Sequence, residues 1–297
     1  MPRDLSDVLD YFLPAAEQSE EAAIDPHDTA RSSPSEPLTG PVSPGECLTR
    51  QESGAGSEER SPGRQERPAA LPIIAVPIGE RDVVRAAYAW NLAVEVARMG
   101  AASTLIAPAE AYSALVWPEP GTGPVGCEMV LASVAGIADL NRSALDIAVS
   151  RAAECNQGGV VFVHVPPEWL DGAHVARGLL RWSLLFSTPE RRDQLETYGL
   201  AKRLLEAHPD LRIGITIHGV RRVAEAEKAF QRVADVAVRR LGQSLLSYGL
   251  LVDDLHVYRA IVARRPIGLE HPQSRATRAL QDVARMLLDD ARKNASA

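Results

Sequence analysis

No lysine occurs before Lys202, and the 297 residues hold only three, Lys202, Lys228 and Lys293. Arginine is therefore almost the only cation, a bias that a GC-rich genome produces as readily as selection does. Cysteine is equally scarce. Cys47, Cys127 and Cys155 stand far apart, with neither metal-ligand spacing nor a disulfide framework. That pattern excludes a stapled secreted domain and fits a reducing, cytoplasmic setting. No apolar run reaches the ~18 residues that a membrane span needs. The N-terminus also lacks the basic-then-apolar pattern of a secretory signal.

Charge divides the chain. Residues 1–70 carry 14 acidic and 6 basic side chains, whereas residues 71–297 carry 25 acidic and 26 basic. The acidity of the protein thus belongs to its first quarter. Within it, residues 15–70 are rich in Pro, Ser, Glu and Gly and poor in apolar residues. Such a segment cannot offset its chain entropy by burial and is expected to be a disordered linker. Residues 1–14 differ. Leu5, Val8, Leu9, Phe12 and Leu13 recur at helical spacing on one face, Asp4 or Ser6 can cap the start, and Pro14 ends the pattern. About nine residues are too few for an isolated helix. The expectation is a docking peptide that folds in a partner's groove, with packing back on its own domain as the plainer reading.

Residues 71–297 alternate short apolar runs with amphipathic ones. Strands are expected at 72–77, 102–107, 128–132, 159–165, 182–187, 212–217 and 245–251. Helices are expected at 82–99, 139–155, 171–180, 190–207, 221–241, 255–264 and 273–292. Gly159-Val160-Val161-Phe162-Val163-His164-Val165 is apolar on both faces, as a central parallel strand must be. The alternation predicts an α/β fold with a doubly wound, mostly parallel sheet and helices on both faces. Ligands of such sheets bind beyond the carboxyl ends of the strands. The loops 77–85, 107–112, 165–171, 187–190 and 218–221 therefore matter most, and they also offer a surface for a protein partner. Residues 118–126 form a Pro/Gly turn region without assignable chemistry.

The turn after the first strand is Pro77-Ile78-Gly79-Glu80-Arg81-Asp82-Val83-Val84-Arg85-Ala86. A phosphate-binding loop at this place uses glycines to bring backbone N–H groups to the anion, a lysine for the β- and γ-phosphates and a Ser/Thr for magnesium. This turn has one glycine, no lysine and no hydroxyl. Glu80 and Asp82 repel phosphate, and Val83 and Val84 bar the conformations that glycine permits. A compositional bias accounts for the lysine but not for the other losses.

The strand Ile73-Ile74-Ala75-Val76, followed by Asn91-Leu92-Ala93 and by Gly100 before the second strand, resembles the opening of the MinD/ParA family of deviant-Walker (SIMIBI-class) P-loop ATPases. The FlhG/FleN branch of flagellar-number regulators is the most similar in pattern. Counting back from Asn91, Glu80 takes the place of the signature lysine, Arg85 of the phosphate lysine and Ala86 of the magnesium Ser/Thr. The second strand, Leu105-Ile106-Ala107-Pro108-Ala109, lacks the family's terminal aspartate. His164 stands where the Walker B aspartate would be, in His164-Val165-Pro166-Pro167-Glu168. The adenine-contacting asparagine corresponds to Ile217-His218-Gly219. The C-terminal series, from Arg221-Arg222 to Arg264-Arg265-Pro266, follows the family's ending. The resemblance covers roughly residues 71–290.

The fold implied is thus a P-loop NTPase scaffold whose nucleotide site is degenerate. Gly79, Arg81, Arg85 and Ala86 are expected to give weak anion or nucleotide binding at most. No catalytic residue, metal ligand or cofactor is assigned, because the residues that would hold ATP and magnesium are missing. The expected function is a cytoplasmic adaptor or regulator in flagellar placement, cell polarity or partitioning. It would act through protein contacts and form a homodimer or a heterodimer with an intact family member. The alternatives are a divergent ATPase using Arg85, and a nucleic-acid-binding regulator using the arginines at 221–222, 239–240 and 264–265. The near-zero charge of the body favours solvated surfaces for those arginines. His164 and His174 flank Glu168 and Asp171, a grouping read as strand end and solvated loop rather than metal site. Leu280, Val283, Met286 and Leu287 share a face of the last helix. Asp282, Asp289 and Asp290 oppose anionic lipid, so packing on the sheet is expected there rather than membrane contact.

Overall fold

The computed structural model describes residues 70–112, 117–155 and 158–295. The expected docking peptide and the linker lie outside them. Eight strands form one sheet in the order β3-β4-β2-β5-β1-β6-β7-β8. They are β1 (Ile73–Pro77), β2 (Ala102–Pro108), β3 (Gly121–Thr122), β4 (Glu128–Ala132), β5 (Gly159–Val165), β6 (Trp182–Ser187), β7 (Arg212–Val220) and β8 (Leu246–Val252). All pairings are parallel except β3 with β4. The central strands β1 and β5 are buried along their whole length, as their unbroken apolar sequence predicts.

Helices cover both faces. One layer holds α1 (Val83–Arg98), α6 (Leu255–Ala263), α7 (Ile267–Glu270) and α8 (Arg275–Ala295). The other holds α2 (Ile137–Glu154), α3 (Arg177–Leu180), α4 (Arg191–Ala207) and α5 (Val223–Leu241). Capping sets several boundaries. The Asp82 carboxylate accepts the Arg85 N–H at the start of α1, and Asp254 does the same for His256 in α6. Gly242, at φ 69°, ends α5 in the left-handed conformation that glycine adopts without penalty.

The expected elements are all present, with three differences. The helix expected at 171–180 is not one α-helix. A 3₁₀ segment runs from Pro167 to Val175 and α3 follows it, because Pro166, Pro167 and Gly172 disfavour a continuous α-helix. The Pro/Gly region holds the two-residue strand β3. The short helix α7 fills a stretch with no periodicity to announce it. In α8, Leu280, Val283 and Leu287 are buried as expected, whereas Met286 is 37 % exposed. Met286 flanks the buried face, and its terminal methyl reaches toward Gly249 on β8.

Candidate functional site

In strand order, β1 lies between β5 and β6, and the chain leaves β1 toward one edge and β6 toward the other. This is the switch point at which doubly wound sheets open a crevice for ligands. Residues 78–82 and α1 line one side, and the β6–α4 connection lines the other.

The first turn of α1 has the local geometry of an anion site, yet the chain fills it with its own anion. A helix N-terminus presents unpaired N–H groups and a partial positive charge. Here Asp82 supplies the negative group, its Oδ1 lying 3.0 Å from the Arg85 N. Loop amides also find acceptors within the chain. The Ile78 N–H donates to Val165 O, Asp82 N–H to Gly79 O, and Val83 N–H to Arg81 O. Gly79 is not needed for close approach, since a Cβ there would meet no atom within 4 Å.

Arg85 is held by three carboxylates. Its Nε lies 3.2 Å from Asp82 Oδ2, its Nη2 3.6 Å from Asp193 Oδ2 and its Nη1 3.1 Å from Glu196 Oε1. Its side chain is only 7 % exposed. Asp193 is itself fixed by the Thr188 hydroxyl at 2.8 Å. Arg85 is therefore engaged by carboxylates and is not a free cation for an incoming phosphate. Arg81 is exposed on the loop, and Ala86 is buried in the apolar core. The structure thus brings Arg85 to the crevice and leaves Arg81 and Ala86 out of it.

His164, at the end of β5, is buried and donates from Nε2 to Ile78 O at 2.8 Å. An aspartate could not make this bond, because an ionised carboxylate has no proton to give. The histidine therefore ties the β5 end to the loop after β1. Burial holds its pKa below the ordinary value, against the opposing pull of the Ile78 hydrogen bond. Its ring leans on Trp117, with centroids 5.0 Å apart.

His218, at the end of β7, was expected only as a counterpart of the adenine contact. It packs against Tyr88 and Phe186 at centroid distances of 5.3 and 6.3 Å. Burial first, and the Arg85 charge second, push its pKa down to about 4. A neutral aromatic stack fills this corner.

Two carboxylates beyond the loops that the sequence singles out complete the crevice, Asp193 and Glu196, with Thr188 of the 187–190 loop holding Asp193. Only their position after β6 marks them, and nothing in the sequence pairs them with Arg85. The Asn91 that carried the resemblance has a structural task. Its Nδ2 donates to Ala87 O at 2.7 Å, and its Oδ1 accepts the Ile267 N–H at 2.7 Å. It thereby joins α1 to the start of α7. The next residue, Gly268, sits so close to α1 that a Cβ would overlap the Glu95 carboxylate.

The remaining candidates disperse. Asp171 pairs with Arg203 at 2.6 Å, and no group of three or more His, Cys, Asp or Glu among the described residues could hold a metal. Arg221 pairs with Asp253 at 3.5 Å. Arg239 and Arg240 lie at the far end of the 19-residue α5, so the arginine pairs do not share one face. Cys127 is buried, which pushes its thiol up to about 12. No helix among the described residues is long and apolar enough to cross a membrane.

No family model and no curated protein matches the chain. Solved structures do. MinD from Aquifex aeolicus superposes with a TM-score of 0.56 at 17 % identity, over 73 % of this chain and 97 % of that one. The fold is that of the MinD cell-division ATPases. MinD in the MinC:MinD complex of Aquifex aeolicus matches with a TM-score of 0.56 at 16 % identity, over 73 % and 96 % of the two chains. MinD from Pyrococcus horikoshii, complexed with Mg-ADP, matches with a TM-score of 0.53 at 15 % identity, over 76 % and 98 %. At the switch point of this chain the helix N-terminus is capped by Asp82, Arg85 is engaged by three carboxylates, and His164 stands at the β5 end.

Proposed function

We propose that this chain is a catalytically inactive MinD-like protein that acts as an adaptor or regulator through protein contacts. One observation carries the reading: Arg85, in the first turn of α1, is closed off by Asp82, Asp193 and Glu196. Phosphoryl transfer depends on positioned positive charge around the phosphates, and the charge at position 85 is already engaged by carboxylates. The scaffold keeps its sheet and its loops, which remain available as a binding surface. The segment Asp4–Leu13 adds a second contact for a protein partner, carried on an acidic linker. The resemblance to the flagellar-number regulators points to placement, polarity or partitioning as the process served. A MinD partnered with MinC is precedent for a protein of this fold working in a complex. Dimerisation, as a homodimer or with an intact relative, belongs to the same reading.

Isothermal titration with ATP, with and without magnesium, tests it. The expected result is no saturable, magnesium-dependent heat up to a Kd of about 1 mM. Micromolar, magnesium-dependent binding would replace this reading with that of a divergent ATPase.

A further inference from the structure

A second concave surface lies between α1, Trp117 and α6. Val83 and Trp90 from α1, Trp117, and Ile261 from α6 line it, and Arg264 and Arg265 form its rim. Its volume of about 40 Å³ suits one apolar side chain and lies far below the several hundred cubic ångströms of a cofactor pocket. Apolar surface continues from it along α6. Leu255, Tyr258 and Val262 recur at helical spacing beside Ile261, and they are 59 %, 48 % and 85 % exposed. A run of large apolar side chains this exposed marks a contact surface.

We infer that this groove and the adjoining stripe of α6 hold the chain's own segment Asp4–Leu13. Three features select that occupant. The first is charge. Among the described residues no acidic side chain lines the groove; Arg264 and Arg265 border it, Arg265 pairing with Glu270 at 3.2 Å, and Arg259 is exposed on the same helix. The segment carries Asp4, Asp7 and Asp10 and no cation between Asp4 and Leu13. The second is shape. As a helix the segment is roughly 15 Å long, close to the length of the nine-residue α6. It would present Leu5, Val8, Leu9, Phe12 and Leu13 as one apolar face, with one large side chain for the groove. The third is reach. The 56 residues between positions 13 and 70, read as a flexible linker, span roughly 40 Å root-mean-square. A body of this size has a radius of gyration of about 17 Å, so every point of its surface is accessible. A tethered contact is unimolecular, which favours it over an equal contact made from solution.

The inference goes beyond the proposed function and stands whether or not the crevice binds nucleotide. It adds a level of control: a protein partner must compete with the groove for the same apolar face of the segment.

Amide hydrogen exchange on the full-length chain tests it. Residues 5–13 are expected to exchange at least about 10-fold slower than an unstructured peptide of the same sequence. The protection should not change with protein concentration. Ile261→Glu, and separately the double substitution R264E/R265E, should abolish it. Adding D7K/D10K to R264E/R265E should bring it back, which damage to the fold could not do. Far-ultraviolet dichroism confirms that each variant is folded. Should Ile261→Glu misfold, the charge-reversal pair alone decides. Unprotected exchange of residues 5–13 in the wild type overturns the inference, as does protection that survives both groove variants or fails to return on charge reversal. Protection that rises with concentration assigns the segment to a second copy and overturns docking within one chain.

Discussion

The Arg85 guanidinium and the Glu196 carboxylate meet 3.1 Å apart across the carboxyl end of the sheet, although 111 positions separate them in the chain. With Asp82 and Asp193 they make a closed charge cluster at the place where this fold opens a ligand crevice. The cluster has energetic consequences that can be measured.

Arg85→Met removes the cation that three carboxylates hold. Breaking a buried ion pair by deleting one partner costs about 3–5 kcal/mol. The carboxylates here are 25–49 % exposed, so solvent screening lowers the expected loss to about 2–3 kcal/mol. Urea denaturation measures it. Adding Glu196→Gln to Arg85→Met should recover part of the loss, because it removes one of the opposed charges. Strict additivity of the two substitutions would show that the pair does not interact.

Rebuilding the missing loop chemistry should not rebuild a nucleotide site. The triple substitution Asp82→Gly, Arg85→Lys and Ala86→Thr restores a glycine, the lysine and the hydroxyl. Asp193, Glu196 and His164 remain, so a lysine at position 85 would still pair with carboxylates. Magnesium-dependent ATP binding is expected to stay weaker than about 1 mM. Titration calorimetry on the triple variant that finds micromolar affinity would mean the loop alone limits binding.

His218 makes stability depend on pH in a defined window. Its pKa falls from the ordinary 6.5 to about 4 in the folded chain. The unfolded chain therefore takes up a proton first as the pH drops. Stability is complete above pH 6.5, declines as pH falls from about 6.5 to about 4, and levels off below that for this group. The shift corresponds to about 3 kcal/mol. Arg85 and Asp193 are the charged groups that act on it, and Tyr88 and Phe186 are the rings that pack on it. His218→Phe should reduce the slope of unfolding free energy against pH in this window relative to wild type. Parallel curves for the two proteins would show that His218 is not buried neutral.

Asn91 and Gly268 should be structural. Asn91→Ala leaves the buried Ile267 N–H without its acceptor and is expected to cost about 1–3 kcal/mol. Gly268→Ala forces α7 away from Glu95 and Arg98 and should cost about 1–3 kcal/mol by overpacking. Both variants should lower the thermal midpoint. Unchanged midpoints would show that α7 is not anchored through these contacts.

Much of the fold was legible because its signals are local. The apolar runs at Ile73–Pro77 and Gly159–Val165 read as strands, and both are buried along their length. The short α7 was not legible, because four residues carry no period and its anchor, Asn91, is 176 positions away. The 3₁₀ path through Pro167–Val175 was blurred by an apolar spacing that an α-helix would also satisfy.

For the site, the sequence by itself determined the residue content: one glycine, no lysine and no hydroxyl in the turn 77–86, and a histidine near the end of β5. Such content is read position by position along the chain. Only the tertiary structure decided what those residues meet. Asp193 and Glu196 reach Arg85 because β6 lies beside β1 in the sheet, and His164 reaches Ile78 because β5 lies on its other side. Strand order brings these groups together, and it is fixed by long-range pairing and helix packing, neither of which leaves a mark on the residues near any one of them.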